Sequence, residues 1–492
     1  MINCMKEFEF WFVAGSQNLY GEEVIEKVRN HALEMVRVMD DQVSGKLIFK
    51  DVMTTPEKIT HLIKEANYDD KCAGIITWMH TFSPSKMWIN GLKILNKPML
   101  HLHTQFNREI PFDNIDMDFM NINQSAHGDR EHGFICTRLR IPRKVVAGYW
   151  RDKKVMEEIS NWMRSAAGVV ASRSLKVVRF ADNMREVAVT EGDKVEAQIK
   201  LGWSVNSLSM GDLVAEMDKI SIDEIDGAFK EIKGKYDIVT DKIDAIKYQI
   251  RIWIALKKIF HTGSFDAFVT CFENLYGVEQ LPGLACQLLM EQGYGFGPEG
   301  DWKIAALMRI MKVMEMGLPG GLSFMEDYTY HLKEKNELIL GAHMLEVDPS
   351  IADGKIRIDV QPLGIGDRSD PARMIFEGHA GDAIMVSLVD MGGRMRLIVA
   401  DVEAVEPVEI MPKLPVASVM WKLIPDFETG VKAWIYSGGS HHSVLSYSLN
   451  SNIMRDLAEI VDIEFVHIGK GIDIDVFKKD LILADQMWKI KY

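Results

Sequence analysis

The sequence has few cysteines, and none of them lies in a redox or zinc-binding motif. There are five among 492 residues, an odd number, and they are widely spaced with no C-x-x-C. This excludes a disulfide framework and is typical of proteins from a reducing compartment. We therefore expect a cytoplasmic protein whose cysteines are small buried side chains, namely Cys4, Cys72, Cys136, Cys271 and Cys286.

Long hydrophobic runs and an excess of positive charge are also missing. No stretch reaches the roughly 18 apolar residues of a membrane-spanning helix. Lys6, Glu7 and Glu9 lie where a signal peptide would have its apolar core. Lys and Arg total 57 against 71 Asp and Glu, a net charge of −14. We expect neither a membrane protein nor a nucleic-acid-binding one, because phosphate binding requires a basic face.

Several familiar catalytic motifs are absent, which narrows the possible chemistry. The sequence contains no G-x-x-x-x-G-K-[ST], no H-E-x-x-H and no G-x-S-x-G. One G-x-G-x-x-G is present at Gly295–Gly300, but a predicted helix rather than a strand precedes it. Pro298 also removes an N–H where a phosphate would need a donor. The motif therefore favours a structural loop over a dinucleotide site.

The length and the pattern of apolar runs indicate an α/β protein of several domains. A chain of 492 residues predicts two to four domains. Short apolar runs alternate with predicted helices in the first third, and Thr55-Pro56 and Ser83-Pro84 each begin a helix. This βαβ pattern predicts a parallel sheet with a ligand site beyond the carboxyl ends of its strands. The predicted strands cover residues 8–14, 47–52, 73–78 and 98–103.

The pattern restarts in the middle of the chain and changes near residue 320. Strands are predicted at 175–180 and 267–271, and helices at 245–260 and 302–316. Beyond that point, apolar and polar residues alternate, and Met391-Gly392-Gly393 separates two such runs as a hairpin turn would. We therefore expect a β-rich third domain.

Candidate chemical groups lie in segments that the pattern assigns to loops. Glu299, Glu326 and His343 are such residues, and His441-His442 follow a glycine pair after a predicted strand at 433–436. By itself, each is better explained as an ordinary polar loop residue. His343 and Glu346 do not form an obvious ligand pair, because residues three apart in a strand face opposite ways. Spacing alone selects no site among 14 histidines and 71 acidic residues.

Longer motifs show a resemblance to a known family, which the spacing of single residues does not reveal. The chain resembles the L-arabinose isomerase family nearly end to end, with the motifs in the same order. They are WFVAGSQNLYG (11–21), WMHTFSPSKMWINGL (78–92), HTQFN (103–107), MDFMNINQSAHGDRE (117–131), FADNMREVAVTEGDKVEAQIK (180–200), QGYGFGPEGDWKIAALMRIMKV (292–313), SFMEDYTYH (323–331), GAHMLEVDPSIA (341–352) and GGSHHS (438–443).

The resemblance implies an α/β fold that agrees with the apolar pattern. It implies two Rossmann-like αβα domains, 1–168 and 169–320, followed by a β-rich, barrel-like C-terminal domain, 321–492. It also implies an obligate homo-oligomer with its sites at subunit contacts. A homohexamer is the expected form, and the sequence leaves a tetramer open.

The resemblance further implies a metal-dependent aldose–ketose isomerase that converts L-arabinose to L-ribulose. The implied cofactor is Mn²⁺, with Co²⁺ as a possible substitute, held by Glu299, Glu326, His343 and His442. Glu299 and Glu326 are also the implied acid and base of a cis-enediol route, in an order that the sequence leaves open. A metal-assisted hydride shift is the chemical alternative.

Further site residues follow from the same resemblance. Residues that match substrate-pocket positions are Gln17, Leu19, Met184, Phe272, Ile365 and His441. Residues that match positions presented by a neighbouring subunit are Phe82, Gln124 and His127. Core packing is an equally simple explanation for the two phenylalanines and the methionine of this set.

Two departures from the family pattern leave the sugar preference open. Asp367-Arg368 stand where the family often has Gly and Lys, and Ser440 stands where Ala is common. The same mechanism acting mainly on L-fucose or D-galactose is therefore an alternative, and D-galactose to D-tagatose is an expected side activity. A non-catalytic sugar-binding protein is the third hypothesis.

Overall fold

The computed structural model describes residues 4–364, 367–409 and 411–491. The chain forms two compact units. One contains the chain up to Val170 together with Arg455–Ile460, and the other contains Ala171–Met454 and the chain from Val461 onward. No helix in the described ranges is both long and apolar enough to span a bilayer. All five cysteines are free, and Cys4, expected to be buried, is exposed.

The first unit is built on a parallel five-stranded sheet of order β2-β1-β3-β4-β5. This sheet confirms the βαβ expectation, and the full burial of β3 reflects helices packed on both faces. The strands are β1 (Glu9–Gly15), β2 (Lys46–Met53), β3 (Cys72–Met79), β4 (Met99–His103) and β5 (Lys144–Ala147). The helices are α1 (Glu22–Asp40), α2 (Pro56–Tyr68), α3 (Ile89–Leu92), α4 (Met117–Ile122), α5 (Ser125–Arg138) and α6 (Lys153–Arg173).

Local sequence signals explain where α2 begins but not how the next helix forms. The Thr55 side chain accepts a hydrogen bond from the Lys58 N–H, and Pro56 occupies the first turn. The helix predicted after Pro84 is instead a 3₁₀ turn, Ser85–Trp88, followed by the four-residue α3. The second unit contains the other two sheets.

A smaller parallel sheet in the second unit has the order β10-β9-β6-β7. Its strands are β6 (Lys176–Phe180), β7 (Ser204–Leu208), β9 (Ala267–Val269) and β10 (Gly295–Gly297); β8 (Asp237–Ile238) joins the larger sheet. The helices are α7 (Lys194–Leu201), α8 (Met210–Met217), α9 (Ile222–Lys235), α10 (Ile243–Gly263), α11 (Gly283–Glu291) and α12 (Trp302–Met314). The predicted helices at 245–260 and 302–316 correspond to α10 and α12.

The glycine motif at 295–300 follows helix α11, as the sequence indicated, and leads through a loop into α12. Its first three residues form β10, a strand too short for hydrophobic periodicity to detect. A Cβ on Gly295 would lie 2.0 Å from the carbonyl oxygen of Ala305, and one on Gly297 would lie 2.3 Å from that of Asp301. These glycines therefore allow α12 to pack directly against β10.

Replacing Gly297 with alanine is expected to lower the free energy of unfolding by about 1–3 kcal/mol, the usual cost of forcing extra atoms into a packed interior. The contact is with backbone, which cannot move aside as a side chain can. Gly227→Ala in α9 is the control: nothing lies within 4 Å of its added Cβ, so a gain of roughly 0.5–1 kcal/mol is expected. Urea unfolding followed by circular dichroism compares the two. Equal stability of both variants would contradict the packing argument.

The larger sheet contains a closed barrel. Its order is β19-β16-β15-β18-β11-β12-β17-β14-β13-β8, and an additional β16–β17 pairing closes six of these strands into a ring. The strands are β11 (Leu322–Lys333), β12 (Asn336–Ala342), β13 (Ala352–Val360), β14 (Ala372–Gly378), β15 (Gly381–Asp390), β16 (Met395–Val405), β17 (Ser418–Leu423), β18 (His442–Ser446) and β19 (Glu464–Ile468). Three helices accompany them, α13 (Phe427–Tyr436), α14 (Ser451–Val461) and α15 (Ile474–Lys491).

The β-rich, barrel-like expectation is confirmed, with one local error. The hairpin at Met391-Gly392-Gly393 joins β15 to β16, and both glycines have positive φ, as its tight turn requires. The strand predicted at 433–436 is instead the end of α13. That helix begins where the Asp426 carboxylate accepts a hydrogen bond from the Thr429 N–H, a capping signal that the short apolar run concealed.

Candidate active site

Three neighbouring strands of the barrel place three of the predicted metal ligands side by side. Glu326 lies within β11, where it pairs with His442 of β18 on one side and with Ala342 of β12 on the other. His343 follows Ala342 directly. Cross-strand neighbours on antiparallel strands approach closely, so the register itself brings these side chains together. Glu326 is thus a strand residue and not the loop residue that the sequence indicated.

The side-chain atoms of this group converge on Glu326. Its Oε1 lies 3.3 Å from Nε2 of His343 and 3.5 Å from Nε2 of His442. Both imidazoles are almost completely buried, whereas the glutamate retains 13% of its side-chain exposure. The carboxylate therefore occupies the accessible side of the cluster.

Glu299 reaches the same group from the loop between β10 and α12. Its Oε2 lies 3.5 Å from Nε2 of His442 and 3.6 Å from Nε2 of His441. Its backbone adopts a left-handed conformation with φ of 54°, which is unfavourable for a residue with a side chain. The Met184 N–H donates to the Glu299 carbonyl at 2.9 Å, which helps hold the loop in this conformation.

Each buried histidine is oriented by a carboxylate. Nothing in the sequence pointed to Asp301, and the strand argument set Glu346 aside. Nδ1 of His442 lies 3.0 Å from Oδ2 of Asp301, and Nδ1 of His343 lies 2.6 Å from Oε2 of Glu346. In both rings Nε2 is left facing Glu326. The His343–Glu346 contact is possible because β12 ends at Ala342 and the chain then bends, so the opposite-face argument does not apply.

Ser440, one of the departures from the family pattern, contacts the site directly. Its Oγ accepts a hydrogen bond from the backbone N–H of His442 at 2.9 Å. The hydroxyl therefore helps to fix the start of β18, a contact that alanine could not make.

Aromatic rings pack against the two histidines. Phe324 makes edge-to-face contacts with His343 and His442, at ring-centroid distances of 5.1 and 5.6 Å. Phe272, predicted as a substrate residue, lies nearly parallel to His343 at 6.1 Å. These contacts restrict the rotation of both imidazoles.

The electrostatics of the site keep Glu299 ionised. Burial raises the pKa of its carboxyl, but the neighbouring His441 and His442 outweigh burial and hold the pKa well below its usual range. Glu299 is therefore a carboxylate at neutral pH.

The buried histidines are shifted in the opposite direction. Burial lowers the pKa of His442, but the carboxylates of Asp301 and Glu299 outweigh burial and raise it to about 9. For His343, burial also lowers the pKa, and the adjacent Glu346 contributes most to the net increase. Without a metal, the His442 ring therefore favours the protonated form at neutral pH.

The donor set fits a divalent cation. The ligand atoms of Glu299, His441 and His442 all lie within 4.8 Å of one another. Among the described residues, Oε2 of Glu299 and Nε2 of His442 are buried atoms without a hydrogen-bond partner, and such atoms are costly unless something satisfies them. Carboxylate oxygens and imidazole nitrogens, with no thiolate, suit Mn²⁺ or Co²⁺.

The remaining predicted residues that the structure describes fall into two groups. Met184, Phe272 and His441 lie in the second unit and contact Glu299 or His343 as described above. Ile365 lies outside the described residues. In the first unit, five residues lie beyond or near the carboxyl ends of strands of the parallel sheet: Gln17 and Leu19 after β1, Phe82 after β3, and Gln124 and His127 at the start of α5.

The first-unit group includes polar and exposed side chains at the sheet edge where ligands bind in such folds. Leu19 is 85% exposed, and the Gln124 N–H donates to the carbonyl of His80, just beyond β3. Their part in a site stays a prediction.

Comparison with known proteins covers nearly the whole chain. Three family models match it in succession, described as the N-terminal domain of L-arabinose isomerase at residues 4–174, the central domain at 176–317 and the C-terminal domain at 321–464. L-arabinose isomerases of Thermotoga petrophila and Anoxybacillus flavithermus are each 53% identical over 98% of both chains, and that of Geobacillus stearothermophilus is 52% identical over 99%. The chain therefore belongs to the L-arabinose isomerase family and is an isomerase, an intramolecular oxidoreductase.

Proposed function

We propose that the chain converts L-arabinose to L-ribulose and that this aldose–ketose isomerisation depends on a divalent cation, with Mn²⁺ the preferred one. The names of relatives about half identical over the full length support the substrate. One structural observation carries the metal dependence: two histidines, each held at Nδ1 by a buried carboxylate, direct Nε2 towards Glu326. Such carboxylate–histidine pairs are typical of metal ligands.

Glu299, Glu326, His343 and His442 would hold the cation. The bound cation would supply Lewis acidity, which stabilises negative charge on the sugar oxygens as the proton on C2 becomes acidic. His441 lies as near to Glu299 as His442 does but keeps 45% of its side-chain exposure. We assign His441 to the substrate because it is accessible from solvent.

The two glutamates of the site supply the proton transfers of a cis-enediol route. One carboxylate removes the proton from C2 of the open-chain aldose, and the proton is returned to C1 to give the ketose. The second group moves the hydroxyl proton from O2 to O1. Glu299, held ionised by its histidine neighbours, begins the cycle as a proton acceptor. A hydride shift from C2 to C1 is the alternative, and deuterium at C2 that is retained at C1 would favour it.

Substrate contacts are proposed for Met184, Phe272 and His441, with Gln17, Leu19 and Ile365, and for Phe82, Gln124 and His127 from a neighbouring subunit of a homohexamer. Each of these assignments derives from the family pattern. The free thiols support a cytoplasmic location, because such side chains persist in a reducing compartment.

Ketose formation by the purified protein tests the function. The enzyme is stripped with EDTA, assayed, and assayed again after Mn²⁺ is added, with L-arabinose, D-galactose and L-fucose in parallel. We expect activity to disappear on stripping and to return with Mn²⁺, with L-arabinose preferred and D-galactose converted slowly to D-tagatose. Mg²⁺ and Ca²⁺ serve as controls for a nonspecific effect of divalent charge.

The other outcomes of this assay separate the alternatives. Turnover that survives complete stripping would rule out the metal mechanism. Metal-dependent turnover of L-fucose or D-galactose alone would keep the mechanism and change the substrate. Sugar binding without any ketose would contradict the proposed reaction on these sugars.

A further inference from the structure

Lys303 is a completely buried lysine in the first turn of α12, outside the set of residues assigned to the reaction. Its Nζ lies 3.0 Å from Oδ1 of Asp301. Nζ also donates hydrogen bonds of 2.8–2.9 Å to three consecutive backbone carbonyls, those of Val189, Thr190 and Glu191. A buried ammonium group is strongly disfavoured unless it is paired and hydrogen-bonded. The four oxygens therefore define one specific position for this charge.

The three carbonyls belong to the segment 181–191, which lies against the Glu299 loop. Asn183 donates from Nδ2 to the Thr190 carbonyl at 2.6 Å and to the Gly300 carbonyl at 3.2 Å. Together with the Met184 N–H bond to the Glu299 carbonyl, these contacts join the two segments. Lys303 supplies three of the hydrogen bonds that hold the 181–191 segment in place beside the site.

The contact between Lys303 and Asp301 also affects His442. Oδ1 of this carboxylate faces Lys303, while Oδ2 lies 3.0 Å from Nδ1 of His442. A carboxylate held at one oxygen cannot rotate freely at the other. The position of Lys303 therefore contributes to the orientation of His442, whose Nε2 faces both glutamates.

We propose that Lys303 is a positioning residue for the isomerisation. Through Asp301 it fixes His442 as a metal ligand, and through the carbonyls of residues 189–191 it holds Met184 beside Glu299. The inference rests on the proposed metal-dependent function. The buried ammonium group of Lys303 would thus align the metal ligand His442 with the 181–191 segment, whose Met184 we expect to contact the sugar.

Lys303→Met removes the charge while keeping a side chain of similar length. We expect Mn²⁺ to bind about 10–100-fold more weakly, the usual effect of losing a group that orients a metal ligand. Electron paramagnetic resonance of free Mn²⁺ measures this without any turnover. At saturating Mn²⁺, we also expect the KM for L-arabinose to rise more than kcat falls.

Lys312→Met is the matched control. Lys312 is a second buried lysine of α12, only 7% exposed, and it lies 2.7 Å from the carboxylate of Asp348. Its loss removes the same charge from the same helix without touching Asp301 or the 181–191 segment. We expect a lower melting temperature and unchanged Mn²⁺ affinity, which separates positioning from general stability.

Two further variants separate the effect of Lys303 through Asp301 from its effect through the 181–191 segment. Asp301→Asn is expected to weaken Mn²⁺ binding with little change in KM, whereas Asn183→Ala is expected to raise KM with Mn²⁺ affinity within about twofold of the parent. If Lys303→Met yields no folded protein, Lys303→Gln replaces it with the same expected direction.

The outcomes of these measurements separate the positioning role of Lys303 from the metal dependence itself. Mn²⁺ affinity and KM in the Lys303 variant within twofold of the parent would overturn the positioning role. Equal weakening by the Lys312 variant would also overturn it. A parent enzyme that is active without binding Mn²⁺ would instead overturn the proposed metal dependence.

Discussion

Replacing Glu326 with glutamine is expected to lower kcat for L-arabinose by about 10²–10⁴-fold, the range that a positioned acid–base group contributes. The amide keeps the size of the side chain and its place in β11, but it cannot take up or release a proton during the reaction. It also removes the carboxylate towards which His343 and His442 direct Nε2. The expected loss therefore combines proton transfer with weaker metal binding.

The two contributions can be separated by measuring kcat at saturating Mn²⁺ and Mn²⁺ affinity independently. A loss that persists when the metal is bound belongs to proton transfer. Glu403→Gln is the control, because it makes the same charge change at an exposed position of the barrel strand β16. It is expected to leave kcat unchanged. Turnover by the Glu326 variant within tenfold of the parent would remove the residue from the proposed mechanism.

The affinity for Mn²⁺ is expected to rise about tenfold for each pH unit between pH 6.5 and pH 9. In the metal-free enzyme, nearby carboxylates raise the pKa of His442 to about 9, so the ring carries a proton over this range. The metal needs the lone pair on Nε2, and binding must displace that proton. The affinity therefore increases as the ring loses its proton and levels off above its pKa.

Mn²⁺ titrations across this range under anaerobic conditions measure the slope, and a pH indicator measures the proton released. Asp301→Asn provides the control: without the carboxylate that accepts from Nδ1, the pKa of His442 should move towards its ordinary value. The affinity of that variant should then level off at a lower pH. An affinity independent of pH in the parent would contradict the assignment of His442 as a ligand.

Local sequence signals were sufficient for much of the fold. Apolar runs located four of the five strands of the first parallel sheet, β1 to β4, but not β5. Thr55-Pro56 located the start of α2, and a glycine pair located the β15–β16 hairpin. These features depend on residues within a few positions of one another. The errors arose where local signals were short or conflicting, as in the three-residue β10 and in α13, whose apolar end was read as a strand.

The arrangement of the candidate site, in contrast, could not be predicted from local sequence signals. The motifs shared with the isomerase family named Glu299, Glu326, His343 and His442, but spacing along the chain could not select them. Their meeting depends on the antiparallel pairing of β11 with β18, which places Glu326 opposite His442, and on a loop from a different sheet that carries Glu299. Contacts between residues so distant in the chain leave no periodic signal.

The sequence by itself therefore determined the α/β and β-rich regions, the family and the residue types available for a metal. Only the tertiary structure decided which carboxylates orient the histidines and how Lys303 joins two segments of the site. The reason is physical: helix and strand patterns record which face of an element is buried. The partner of a buried polar group, in contrast, depends on which elements finally pack against it.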